Sequence, residues 1–166
     1  MLNHKIIGFV LITIAVYVSY NMHRNPHVGI DDANIFLNYA ENLSSGKGIT
    51  YSNNLDPVEG YTSTLWMFTM TLILMFGGGE FSILLLSVIL LYLTYLFTCK
   101  IVDQKRNNNE IAIHVVILIL FVSDPSFITW NSITLMDTIL YVSFIVISIY
   151  LVLEKDDTFN NRFTLL

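Results

Sequence analysis

Residues 81–99 form a run of nineteen positions without one charged side chain, and further charge-free runs occupy residues 6–22 and 138–153. A helix needs about 20 mainly apolar residues to cross the hydrocarbon core of a bilayer. The composition agrees with membrane insertion, because 54% of the 166 residues are hydrophobic, 13% are charged and the mean hydropathy is +0.63. The chain is therefore predicted to be an all-α integral membrane protein that contacts the lipid bilayer.

The charge distribution excludes nucleic acid as a partner, and the cysteine content excludes a disulfide within the chain. The net charge of -5 is spread over the polar segments, and no basic patch of the kind that binds nucleic acid is present in the sequence. The single cysteine, Cys99, cannot form a disulfide within the chain. Because Cys99 ends an apolar run, we expect it to be a small buried side chain.

The apolar and polar runs predict about four transmembrane helices, an extracytoplasmic amphipathic helix and a re-entrant or juxtamembrane hairpin. The first helix is expected to be a retained signal anchor, and the third is short enough that it must tilt, thin the bilayer or continue past Pro125. The predicted segments are a first transmembrane helix (1–22), an extracytoplasmic loop (23–60), the hairpin (61–80), a transmembrane helix (81–99), a cytoplasmic loop (100–110), a transmembrane helix (111–122), an extracytoplasmic loop (123–137), a transmembrane helix (138–153) and a cytoplasmic tail (154–166).

The eight lysine and arginine residues decide whether residues 61–76 cross the membrane. Cytoplasmic segments collect Lys and Arg. If residues 61–76 cross, three of these residues are inside and five outside; if they do not, six are inside and two outside. The second arrangement obeys the rule, so the chain is predicted to be a multi-pass protein of the cell (inner) membrane with both acidic loops extracytoplasmic. The six residues then placed inside are Lys5, Lys100, Lys105, Arg106, Lys155 and Arg162, and the two outside are Arg24 and Lys47.

The first loop contains the predicted amphipathic helix. Its apolar residues recur at helical spacing at Ala33, Phe36, Ala40 and Leu43, and its polar face carries Asn34, Asn38, Glu41 and Asn42. Gly46 is expected to end the helix. Asp31 and Asp32 stand at the start, where exposed amides and the helix dipole stabilise carboxylates, so helix capping alone accounts for both.

A second interpretation of the two aspartates comes from resemblance. The stretch DDANIFLNYAENLSSGKGITYSNNLDPVEGYTSTLW resembles the first extracytoplasmic loop of the GT-C superfamily of polyprenyl-phosphate-dependent glycosyltransferases. It is most similar to the group containing the mycobacterial terminal arabinofuranosyltransferase, whose members read in outline DDAxIxxRYAxNLxxGxGLxYNxxxxVEGYTxxLW. Asn38 departs from this outline, because it stands where an arginine is usual. The match has no gap up to Tyr51, and from Val58 onwards it requires one additional residue between Tyr51 and Val58. The matched residues are Asp31, Asp32, Ala33, Ile35, Tyr39, Ala40, Asn42, Leu43, Gly46, Gly48, Tyr51, Val58, Glu59, Gly60, Tyr61, Thr62, Leu65 and Trp66.

A weaker similarity covers SDPSFITWNSITLMDTILY, residues 123–141. It resembles a family stretch that reads SPxFxxWxxSGLETxLF. Here Leu135 stands where the family has a glycine, and Asp137 stands where it has a glutamate.

The resemblance implies a glycosyltransferase with a polyprenyl-phosphate sugar donor and a hydroxyl acceptor on a cell-envelope glycan, lipid or protein. It implies that Asp31 is the general base and that Asp32 assists by orienting the acceptor or by sharing a metal. No cofactor is assigned with certainty, although two carboxylates with an open position can hold a divalent cation. Arg24 and Lys47 are the basic residues placed where they could bind the donor phosphate.

Other polar and aromatic residues have two interpretations each. Glu59 either binds the acceptor or caps the following helix, and Tyr61 is a further substrate-binding candidate. Asp137 begins an apolar run, where a structural role at a helix N-terminus is favoured over a role in the site. Trp66, Tyr61 and Trp130 are typical of an interfacial aromatic belt.

Members of the family are more than twice as long as this chain. We therefore expect an N-terminal portion of an enzyme, from a truncated or split gene or a fragment, with a second chain that supplies the remaining transmembrane helices. The alternative is a non-catalytic membrane subunit or interaction protein that keeps the fold. A small transporter is less favoured, because its ionisable residues should lie midway along the spans and here they lie at the ends.

Overall fold

The computed structural model describes residues 4–22, 32–52, 60–105 and 111–163. Every regular element in these ranges is helical. The elements are α1 (His4–Met22), α2 (Asp32–Ser44), α3 (Thr64–Met75), α4 (Glu80–Lys105), α5 (Ile111–Ser123), α6 (Pro125–Ile128), a π-helical turn (Thr129–Ile133) and α7 (Thr138–Phe163).

Two of the described helices are long and apolar enough to cross a membrane: Lys5–Met22 in α1 and Glu80–Gln104 in α4. Ala112–Ser123 and Pro125–Ile133 pass the same test only as a pair, bent by 77° between them. Counting that pair as one span gives three. The apolar part of α7, Thr138–Glu154, is shorter, so the fourth crossing stays a prediction.

Helix α4 is the centre of a bundle that also contains α1, α5 and α7. The start of α1 lies beside the second half of α4, because the Tyr92 hydroxyl donates to the Lys5 carbonyl oxygen at 3.1 Å. The end of α1 lies beside the start of α4, where Tyr20 lines a small cavity with Phe81 and Leu84. Helices α1 and α4 are therefore antiparallel.

Helix α7 runs in the same direction as α4. The hydroxyls of Thr94 and Ser143 are 2.9 Å apart, and further along both helices the rings of Phe97 and Tyr150 meet edge to face at 5.1 Å.

Close approach of α1 to α4 depends on Gly8, because a Cβ atom there would collide with the ring of Tyr95. Small and hydroxyl-bearing residues are common where membrane helices pack.

Helices α2 and α3 pack against each other beside this bundle. Both end in the same way, with a glycine at φ +78° followed by a residue whose amide N–H bonds back to the last turn. Lys47 N–H donates to the Asn42 carbonyl at 2.9 Å after Gly46, and Gly78 N–H donates to the Ile73 carbonyl at 2.9 Å after Gly77. These are Schellman motifs, in which glycine adopts the left-handed conformation at least cost. The expected stop at Gly46 is confirmed.

The chain bends between α5 and α6, at Asp124 and Pro125. Pro125 cannot donate a backbone hydrogen bond and starts a new helix. Asp124 caps that helix, because its carboxylate accepts the Ser126 amide at 2.8 Å. The chain past Pro125 is therefore a separate helix, bent away from α5, rather than a straight continuation of it.

Candidate functional site

The apolar face of α2 is buried as its spacing predicts. Ala33, Phe36 and Ala40 are each at most 1% exposed, and Tyr39 beside them is also buried. The ring of Tyr39 meets Tyr61 edge to face, with centroids 5.0 Å apart, and meets Tyr51 at 5.8 Å. This tyrosine cluster holds two separate loop segments against one helix.

The loop after α2 folds back along the helix. The Asn42 side-chain amide donates to the Thr50 carbonyl at 2.8 Å, and this bond is buried. Gly46 and Gly48 have φ angles of +78° and +84°. Asn42, Gly46 and Gly48 all belong to the first stretch that resembles the glycosyltransferases. Each has a structural role here that other residue types perform less well.

Trp66 joins the α2–α3 unit to the bundle. Its side chain is fully buried, and its indole N–H donates to the Leu135 carbonyl at 2.8 Å. A second link lies nearby, where the Tyr141 hydroxyl donates to the Ser63 hydroxyl at 3.1 Å. The expectation that Trp66 belongs to an interfacial aromatic belt was wrong, because this side chain is enclosed by protein. Trp130, by contrast, is 48% exposed.

Leu135 has an unusual backbone for its residue type. Its φ is +56°, and among the described residues other than glycine no other has a positive φ. A branched side chain in this region is strained, whereas glycine is not. The Leu135 side chain is nevertheless 2% exposed, so its burial offsets the strain.

Three of the predicted site residues lie outside the described part of the chain: Asp31, Arg24 and Glu59. Asp32 is the first residue of α2, and its side chain is also outside that part. The predicted catalytic pair and Arg24, one of the two predicted phosphate-binding residues, therefore stay predictions. Within the described ranges no group of three or more His, Cys, Asp or Glu side chains could hold a metal ion.

The remaining predicted residues are placed separately. Tyr61 lies in the tyrosine cluster, and Lys47 lies on the loop after α2. Asp137 is half-buried directly before α7, and its carbonyl oxygen accepts the amides of Leu140 at 3.0 Å and Tyr141 at 3.3 Å. Asp137 therefore lies at a helix N-terminus, and the role of its carboxylate stays a prediction.

Lys47 belongs to a polar cleft between α2, the loop after it and the end of α3. The cleft has a volume of about 530 Å³. It was not expected from the sequence, although the polar face of α2 that lines it was. The lining residues are Asn38, Glu41, Asn42, Ser44, Ser45, Lys47, Tyr51, Ser52 and Leu74.

A second polar arrangement that the sequence analysis missed lies at the opposite end of the bundle. His114 Nε2 is 2.9 Å from Asp103 Oδ1, and His114 is 3% exposed. Asp103 lies in the last turn of α4 and His114 in the first turn of α5. The two residues flank the short connection between α4 and α5, and this arrangement in the sequence could have predicted the pair.

Comparisons with known proteins find no relative. The chain matches no protein-family model, no curated protein and no solved structure. The resemblance to the glycosyltransferases rests on the residues of the two stretches alone.

Proposed function

We propose that this chain is a membrane glycosyltransferase of the GT-C superfamily. It would transfer a sugar from a polyprenyl-phosphate donor to a hydroxyl of a cell-envelope glycan, lipid or protein on the extracytoplasmic side. The observation that carries the proposal is the buried bond from Trp66 to Leu135, because it joins the two stretches that resemble the family. These residues are 69 positions apart in the sequence.

The backbone at Leu135 supports the alignment of the second stretch. When this stretch and the family stretch are aligned at Asp137 and Thr138, with one additional residue after Trp130, Leu135 stands where the family has glycine. Its φ of +56° is a conformation that favours glycine. The alignment was made on residue types, so the dihedral angle is a separate observation. It is the conformation that a glycine at this position would adopt at least cost.

The direction of the helices supports the proposed topology. If α1 and α4 both cross the membrane, their antiparallel packing requires that the segment between them does not cross. The α2–α3 unit and the predicted catalytic residues before it then lie on one side of the bilayer. That is the arrangement with six basic residues inside and two outside.

The proposed reaction is a displacement at the anomeric carbon of the donor sugar. The acceptor oxygen forms a bond to that carbon while the bond to the phosphate oxygen breaks, and the phosphate leaves with the electron pair. The Asp31 carboxylate accepts the proton of the acceptor hydroxyl, for which it must come within about 3 Å of that oxygen. Asp32 orients the acceptor, and Arg24 balances the charge of the departing phosphate.

The test is Asp31→Asn in membranes of a strain that lacks its own copy of the gene and is complemented with the variant. Radiolabelled polyprenyl-phosphate sugars are the donors, and label in the cell-envelope fraction is measured. Asparagine caps a helix as well as aspartate but cannot accept the proton, so we expect transfer to fall about 10²- to 10⁴-fold at unchanged protein levels. Asp32→Asn and Asp137→Asn should cause smaller losses.

Asp124→Asn is the matched control. Asp124 caps α6 through its side chain and lies in the second proposed extracytoplasmic loop, so the same chemical change is made at a cap with no proposed role in transfer. Near wild-type transfer by Asp31→Asn would contradict the catalytic assignment. Wild-type membranes that transfer no sugar from any donor would favour the non-catalytic subunit.

A further inference from the structure

The polar face of α2 forms one wall of the cleft described above. Asn38 and Glu41 are three residues apart, which places them on one side of the helix, and Ser45 follows directly after its last residue. Lys47 and Tyr51, on the loop that folds back along α2, also line it. The volume of about 530 Å³ lies within the range of about 300–1,000 Å³ that is typical of small-molecule sites.

Three polar side chains in this cleft are unbonded within the part of the chain that the structure describes. The side chains of Asn38, Glu41 and Lys47 have no hydrogen-bond or ion-pair partner among the described residues. In contrast, the Asn42 amide and the Ser44 hydroxyl are bonded to the backbone at Thr50 and Glu41, so they maintain the shape of the cleft. The free groups include amide and ammonium donors as well as amide and carboxylate acceptors.

The charges of the cleft favour an uncharged ligand. Among its described lining residues Lys47 is the one cation and Glu41 is the one anion, so the two charges cancel. A phosphate site would need an excess of positive charge. The ring of Tyr51 is 45% exposed and contacts the buried ring of Tyr39. An aromatic face beside separate donors and acceptors suits a molecule with apolar C–H faces and many hydroxyls.

We infer that this cleft binds an uncharged oligosaccharide. Its role in the reaction, as the subsite that holds a glycan acceptor, rests on the proposed function. Asn38 follows Asp32 by six residues on the same helix, which is about 9 Å along the axis. A chain of sugars bound in the cleft can therefore extend towards the start of α2, where the predicted general base stands in the sequence.

The test is direct binding to the full chain in lipid nanodiscs, without any donor. The probes are fluorescent neutral hexasaccharides of glucose, galactose, mannose and arabinose, with a phosphorylated form of each as the anionic arm. We expect at least one neutral hexasaccharide to bind and to be preferred over its phosphorylated form. Asn38→Ala should weaken this binding about fivefold, the loss of one typical hydrogen bond.

Asn34→Ala is the matched control, because Asn34 lies one turn earlier on α2 and does not line the cleft. Its binding should stay within about twofold of wild type, since no contact with the sugar is removed. Three results would overturn the inference: no neutral probe binds, the phosphorylated probes bind better, or Asn34→Ala weakens binding as much as Asn38→Ala.

The binding assay separates this inference from the proposed function. If the cleft binds neutral sugars but Asp31→Asn leaves transfer intact, the catalytic assignment fails and the cleft stands. If transfer depends on Asp31 but no neutral sugar binds, the cleft assignment fails and the reaction stands.

Discussion

The helices α2 and α4 bury their side chains according to different rules. Helix α2 has a buried apolar face and an opposite polar face that lines a cleft, so its sequence alone shows which side is inside. Helix α4 is apolar on all sides, and Phe81 remains 75% exposed. Its buried side is marked instead by the hydroxyl-bearing residues Ser87 and Thr94, each at most 1% exposed. Hydrophobicity orients a helix in water, whereas small and hydroxyl-bearing residues orient it against other helices in lipid.

The two patterns of burial indicate that α2 contacts water and that α4 contacts lipid. Cysteine labelling tests this difference, because a position either reacts from outside the cell or does not. A cysteine at Asn53 should react with an impermeant thiol reagent in intact cells, and one at Asn108 should react only after permeabilisation. The native Cys99 gives little background, because it is buried. Labelling of Asn108→Cys from outside would mean that residues 61–76 cross the membrane.

Trp66 is the link between the two regions, and its removal should have the next largest effect. Trp66→Ala deletes a fully buried ring, which costs about 3–5 kcal/mol of unfolding free energy. Trp66→Phe keeps most of the ring but leaves the Leu135 carbonyl without the indole donor, which costs about 1–3 kcal/mol. Both values can be measured by denaturant titration in mixed micelles.

The control for this pair is Trp130→Phe. Trp130 is 48% exposed, so the same substitution there should change the free energy of unfolding by less than about 0.5 kcal/mol. Equal losses at Trp66 and Trp130 would contradict the assignment of Trp66 as the link.

The parts that were predictable from the sequence are those decided locally. Helix α2 spans Asp32–Ser44, close to the predicted apolar repeat and with the predicted stop at Gly46, because amphipathic spacing and a left-handed glycine both act within a few residues. Helix α4 continues to Lys105, beyond the predicted span at 81–99, since hydropathy indicates where a helix is apolar and not where it ends.

The parts that were not predictable depend on distant partners. Burial of Trp66 requires the Leu135 carbonyl, and the cleft requires the loop after α2 to fold back onto Asn42. Neither contact leaves a periodic signal in the sequence. The proposed catalytic residue Asp31 differs from both, because it was suggested by resemblance and lies outside the described residues.

A glycine comparison sharpens the claim that the loop after α2 has a fixed shape. Gly46→Ala and Gly48→Ala should each cost about 1 kcal/mol of unfolding free energy, because both residues have positive φ while a Cβ atom would meet no neighbour. Gly79→Ala is the control, since it has no neighbour within 4 Å and no positive φ. Alanine there should be neutral or slightly stabilising. A loss at Gly79 equal to that at Gly46 would contradict the claim that the positive φ determines the cost, because an added Cβ atom has open space at both positions.

The smallest expected effect concerns the hydroxyl pair that joins α4 to α7. The hydroxyls of Thr94 and Ser143 are 2.9 Å apart, but they also lie 2.9 Å from the Leu90 carbonyl and 2.7 Å from the Ile139 carbonyl, respectively. Each hydroxyl has one proton, so the bond between the helices competes with bonds inside them. A double-mutant cycle of Thr94→Val and Ser143→Ala should therefore give a coupling energy of only about 0.6 kcal/mol, an average value for such pairs in membranes. A coupling above about 2 kcal/mol would mean that this pair orients α4 through its bond strength. A small coupling would support orientation through close packing of small residues, the rule by which α4 differs from α2.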